Sequence, residues 1–131
     1  MPIMEISIIP VGTKTASLSK YVAACEAALM AKNRIKAQLT AMGTIVEADS
    51  IGALLDIAGE MHKRVLWAGA KRVVTTIKID DRLDKKATIE SKVASVRRKI
   101  KHNFQQTVEA LHTVVSSCRQ RYGDHFVVVD M

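Results

Sequence analysis

One order of elements, strand then helix then strand, occurs twice in this chain at a spacing of about 40 residues, and that repetition limits what the chain can fold into. In the first copy, Met4, Ile6 and Ile8 alternate with Glu5, Ser7 and Ile9, the period-two pattern of a half-buried strand. A loop with Gly12, Thr13 and Lys14 leads to Ser17 or Ser19, either a suitable helix N-cap. Leu18, Val22, Cys25 and Leu29 then recur at helical spacing, Asn33 closes the helix, and "IKAQLTA" reads as a strand. In the second copy "GTIVEA" is the strand, Asp49 or Ser50 the cap, and Leu54, Ala58, Met61 and Val65 the helical stripe. Gly69 ends that helix and "KRVVTTIKI" follows, while "AMG" joins the two copies as a tight link. The simplest solution is an α+β fold, the ferredoxin-like split β-α-β sandwich. Its four antiparallel strands carry both helices on one face and leave the other face bare.

The last strand of the repeat makes the bare face a functional question. Val73, Thr75, Ile77 and Ile79 lie on one side, and Arg72, Val74, Thr76, Lys78 and Asp80 on the other. Thr and Lys in a row suit a face that is wet, or one that meets a subunit or a ligand.

After the repeat, no Gly or Pro occurs from Thr88 to Tyr122, and Ile89, Val93, Val96, Ile100, Phe104, Val108, Leu111, Val115 and Cys118 form one helical stripe. Unbroken, it would run about 50 Å. The expectation is a bend near His102–Asn103 or a helix contact between molecules, because an isolated rod is only marginally stable. Gly123 stops the helix and "HFVVVD" reads as a short final strand. The domain boundaries expected are 1–100 for the ferredoxin-like domain and 101–131 for a helical extension with a terminal strand, part of the same globular unit.

Charge is placed unevenly. The formal net charge is +7, and between Lys85 and Lys101 seven basic residues face the single acid Glu90, so one helix holds +6 of the excess. Nucleic acid is a disfavoured partner, since no aromatic stacking surface or known reader motif accompanies the basic stretch. Cys25 and Cys118 stand far apart without a CxxC motif, and Cys25 falls in line with the first helical stripe as a small core residue. No apolar run approaches the roughly 20 residues of a membrane span. The opening "MPIMEISIIP" is too short and acidic for a signal peptide, so a cytoplasmic location is expected.

At "EISIIPVGT", "SKYVA", "TAMGTIVEA", "EMHKRVLWAGAKRVVTTIKIDDR" and "KVASVRRK" the chain resembles the small thiamine-binding-protein family, long catalogued as uncharacterised. The resemblance runs from the first strand to about Lys99, and residues 102–131 depart from the family pattern. It implies the same ferredoxin-like fold, with subunits joining their sheets in pairs and dimers associating into a homotetramer. It further implies a cytoplasmic binding protein with no established catalysis and no cofactor, for which thiamine or its pyrimidine moiety is the suggested ligand.

Thiamine presents a flat aminopyrimidine and a cationic ring, so its pocket needs a carboxylate or hydroxyls for the ring edge and an apolar plate for its face. Glu5 and Ser7 on the first strand and Thr76 and Lys78 on the last supply such groups on the bare face. Thr44 and Glu47 point to opposite faces of their strand, so only one joins that pocket unless Gly43 permits a bulge. Met42 is a soft plate, and Tyr21 closes the pocket beside Pro10. Each has a plainer alternative: β-propensity for Thr76, a cross-strand ion pair for Glu5 with Lys78, core or loop packing for Met42, a half-buried surface ring for Tyr21.

Asp80, Asp81, Arg82 and Asp84 read as an ion-paired strand end rather than a cation site. His62 reads as structural, with no nucleophile beside it. The loop "PVGTKT" is a weak anion-site signal before a helix. The leading reading is a non-enzymatic small-molecule binder with its ligand between subunits. The alternatives are a nucleic-acid or regulatory module using residues 85–101, and a purely structural assembly protein.

Overall fold

The computed structural model describes residues 1–123. Seven elements follow one another: β1 (Ile3–Val11), α1 (Ser19–Met30), β2 (Lys36–Leu39), β3 (Thr44–Glu47), α2 (Ile51–Trp67), β4 (Arg72–Asp80) and α3 (Ile89–Tyr122). The first six build a four-stranded antiparallel sheet in the order β2-β3-β1-β4, the ferredoxin-like arrangement anticipated from the repeat. Chain contacts divide the molecule into Met1–Ile89 and a second unit that begins at Glu90.

Register explains the two faces. Partners on neighbouring strands share a face, so Met4, Ile6, Ile8 and Pro10 stand with Ile79, Ile77, Thr75 and Val73. This is the helix-covered side, where Met4, Ile6 and Val46 enter one core with Cys25, Ala28 and Leu29 of α1 and Leu54, Ile57, Ala58, Met61 and Val65 of α2. His62 spans the layers, its Nδ1 lying 2.6 Å from Thr75 Oγ1. The second face holds Glu5, Ser7 and Ile9 with Lys78, Thr76 and Val74, as the alternation in β4 requires.

Local details differ from the sequence reading in three places. Neither Ser17 nor Ser19 caps α1: Leu18 takes the N-cap position without a side-chain bond, and the two serine hydroxyls lie 3.2 Å from each other instead. The helix closes at Met30, before Asn33, and the chain turns at Arg34 in the left-handed region (φ 66°). Gly43 permits no bulge, because β2 and β3 pair residue for residue from Lys36–Glu47 to Leu39–Thr44. By contrast Ser50 does cap α2, its Oγ accepting the Ala53 N–H at 3.1 Å.

The second unit is carried by α3, 34 residues long and without a break at His102–Asn103. It contributes no buried side chain among the described residues. The expected final strand "HFVVVD" lies outside the described residues. Among them no helix is long and apolar enough to cross a membrane.

Candidate ligand-binding cavity

β1 pairs with β4 along its whole length, from Ile3–Asp80 to Val11–Arg72, but with β3 only from Ile3–Glu47 to Ile6–Thr44. From Ser7 onward the β3-side edge of β1 has no strand neighbour among the described residues. A cavity of about 290 Å3 occupies this gap, bounded by Ile6–Ile9, the β2–β3 link and Leu18, Val22 and Glu26 of α1. Because consecutive residues of β1 line it, the gap opens on side chains of both sheet faces, Ile6 and Ile8 from one and Ser7 and Ile9 from the other.

The link that borders the gap is organised by one hydroxyl. Thr40 Oγ1 donates to Gly43 O at 2.8 Å and accepts the N–H groups of Met42 and Gly43 at 3.2 and 3.1 Å. The Thr40 N–H closes the same turn on Gly43 O at 2.8 Å. Gly43 passes so close to β1 that a Cβ there would lie 2.9 Å from the Ile6 carbonyl oxygen. The turn thereby holds Met42 at its tip, 88% exposed, beside Leu39 and Ile9, which are also exposed. Apolar groups left open around a concave gap supply the plate for a flat ring.

One carboxylate reaches the lining. Thr44, buried on the helix-facing side of β3, donates its hydroxyl to Glu26 Oε1 at 2.5 Å. That bond orients Glu26 and leaves carboxylate lone pairs for an amino or ring N–H donor. Cys25, next along α1, is the opposite case. Burial, with the adjacent Glu26 adding to it, pushes its thiol up to about 11, so it stays protonated and inert.

The residues singled out in the sequence separate into five places. Ser7, Met42 and Thr44 line the gap together. Glu5, Thr76 and Lys78 lie on the second face, with Thr76 level with Ser7 and Lys78 Nζ 3.6 Å from Glu5 Oε1 in an exposed ion pair. Tyr21 borders a different cavity, of about 430 Å3, with Gly12, Lys14, Lys20 and Lys71. Pro10 is buried opposite Val73. Glu47 is buried at the other end of β3, beside a third cavity of about 610 Å3 with Arg34, Lys36 and Lys86, and its Oε2 has no hydrogen-bond partner among the described residues.

Glu26 and Thr40 were not singled out. Glu26 is the only acid in an α1 of apolar and small residues, one position from the buried Cys25, and that isolation is the signal that points to it. Arg82 and Asp84 form an ion pair at the strand end, holding the Asp84 carboxyl below the usual range. Among the described residues no group of three or more His, Cys, Asp or Glu side chains is placed to hold a metal ion.

The sequence profile described as thiamine-binding protein matches residues 4–97, which covers all of the sheet but Ile3 and both helices packed on it. The chain belongs to the thiamine-binding protein family. A UPF0045 protein of Methanothermobacter thermautotrophicus is 44% identical over 96 residues, 73% of this chain and 96% of that one. The UPF0045 protein YqgV of Bacillus subtilis is 43% identical over 101 residues, 75% of this chain and 96% of its own length. Among solved structures, a hypothetical protein of Methanocaldococcus jannaschii superposes with a TM-score of 0.66 at 40% identity, covering 72% of this chain and 94% of that one. These relatives match 72–75% of this chain, and the family profile ends at residue 97, within α3.

Proposed function

We propose that this chain is a non-enzymatic, cytoplasmic small-molecule binding protein whose ligand is thiamine or a related aminopyrimidine, held in the gap beside β1. The observation that carries this reading is the cavity of about 290 Å3 with an oriented carboxylate on an otherwise largely apolar lining. Its size is at the low end of ligand cavities and fits a single substituted ring. Glu26 accepts from the exocyclic amine, the free edge of β1 offers backbone groups to the ring, and Met42 covers its face. Family membership independently favours thiamine over other amines.

The same reading makes the chain a homo-oligomer, a dimer of dimers. Ile9 and Val74 are exposed side by side on the second face, with Ser7 and Thr76 level beside them. A second copy laid on that face buries the apolar pair and brings its groups to Ser7, where the gap opens. Exposed Glu5–Lys78 then closes the border of the contact.

Calorimetric titration with thiamine, its phosphates and its hydroxymethylpyrimidine precursor tests this directly. Glu26→Gln is expected to weaken binding about tenfold or more, since it neutralises a charged acceptor. A Ser7→Ala, Thr76→Val double variant reads the contribution of the second face, and unchanged affinity there confines the ligand to the gap. Absence of heat with every compound removes the proposal.

A further inference from the structure

Among the described residues α3 carries an apolar stripe and buries none of its side chains. Ile100, Phe104 and Leu111 are each 60% or more exposed, and Val93, Val96, Val108 and Val114 are exposed as well. Single exposed apolar residues are ordinary, but a continuous row along about 50 Å of helix is an interaction surface. The ends of this row are 29 residues apart, Ile89 to Cys118, and it recurs at close to 3.6 residues, the period of a straight helix.

We infer that α3 pairs with α3 of a second copy of this chain, antiparallel, about a two-fold axis near Gln105–Gln106. The row reads the same in both directions from that point except at its centre, where Phe104 falls level with Thr107 and Val108 with Asn103. Ile100 falls level with Leu111, Val96 with Val115, Val93 with Cys118 and Ile89 with Tyr122. A surface that is its own complement under a two-fold axis is what a symmetric dimer requires.

Charge selects the orientation. In a parallel pair Arg97, Arg98, Lys99 and Lys101 would stack on their own copies. In the antiparallel pair they fall level with Val114, Thr113, His112 and Ala110, a stretch without Lys or Arg, and Glu90 falls level with Arg121. The one like-charged meeting of formally charged side chains, Lys92 with Arg119, is near the helix ends. Like charges held along an interface cost far more than this single pair. The seam joins residues 89–97, inside the family match, to residues 114–122 beyond it, and it is independent of the ligand reading.

The natural cysteine makes the register measurable in the full-length protein. Cys25 is buried, so Cys118 is the only half-exposed thiol among the described residues. Under mild copper–phenanthroline oxidation, Val93→Cys is expected to give a disulfide-linked dimer, through Cys118 of the other copy, for most of the chains. Wild-type protein and a Val93→Cys, Cys118→Ser variant stay unlinked. Val96→Cys with Val115→Cys, built on Cys118→Ser, supplies a second expected link. Cross-linking of the wild type through Cys118 alone shows a parallel pair and overturns the proposal. So does absence of a link in both engineered variants while circular dichroism remains that of the wild type.

Discussion

Thr44 Oγ1 lies 2.5 Å from Glu26 Oε1, tying the first residue of β3 to the middle of α1 at the lining of the gap. The bond joins the sheet and a helix that the sequence places far apart, and it fixes the one carboxylate in the proposed site.

Replacing Thr44 with Val keeps the shape and removes that donor. The expected cost is about 1.5–3 kcal/mol in unfolding free energy, the range for a hydrogen bond to a charged group. Urea denaturation with an unchanged m-value measures it. Ligand affinity should fall in parallel, because Glu26 loses its orientation.

Gly43→Ala tests the close approach of the hairpin to β1. A Cβ 2.9 Å from the Ile6 carbonyl forces two backbone segments apart, and neither can yield as a side-chain tip would. A loss of about 1–3 kcal/mol is expected from this overpacking. Chemical denaturation gives the energy, and amide exchange at Ile6–Ile9 shows whether the gap widens.

The two cysteines should react on different clocks. At about pH 8, Ellman's reagent is expected to modify Cys118 in the native protein, at a rate set by opening of the α3 pair, and Cys25 only after unfolding. The pH dependence follows in sign. Folding raises the Cys25 value from the ordinary 9.0 to about 11, so its contribution is intact below pH 9.0 and is lost as pH climbs toward 11. Cys25→Ser should flatten that decline in thermal melts.

Glu60 behaves in the opposite direction. A hydrogen bond from Lys32, whose Nζ lies 3.0 Å from Oε2, holds its carboxyl below the ordinary glutamate value, and Arg64 adds to the effect. Its contribution is present above the ordinary value and disappears as acid is added through the lowered one. Melting temperatures from about pH 7 to about pH 3 should fall less steeply in Lys32→Met than in the wild type. The group is exposed, so the difference will be small.

Much of the architecture was legible because it depends on near neighbours. The alternation in Arg72–Asp80 sorts its side chains correctly between two faces, and the spacing of Leu54, Ala58, Met61 and Val65 identifies the buried side of α2. The start of α1 was misread because Ser17 and Ser19 bond each other, a choice that local propensity does not decide. The gap was not legible at all. It exists because β3 stops opposite Ile6 while β1 continues to Val11, a relation between segments that only the register reveals. For that reason nothing local to Ser7, Met42 or Thr44 marks them as lining one cavity with Glu26.

A four-residue β3 beside a nine-residue β1 therefore acts as a molecular aperture with an adjustable stop. Each further rung on the β2–β3 ribbon would narrow the opening, and trimming it would admit bulkier guests. Ligand size could drift among such proteins through insertions at a surface turn, without any repacking of the interior beneath.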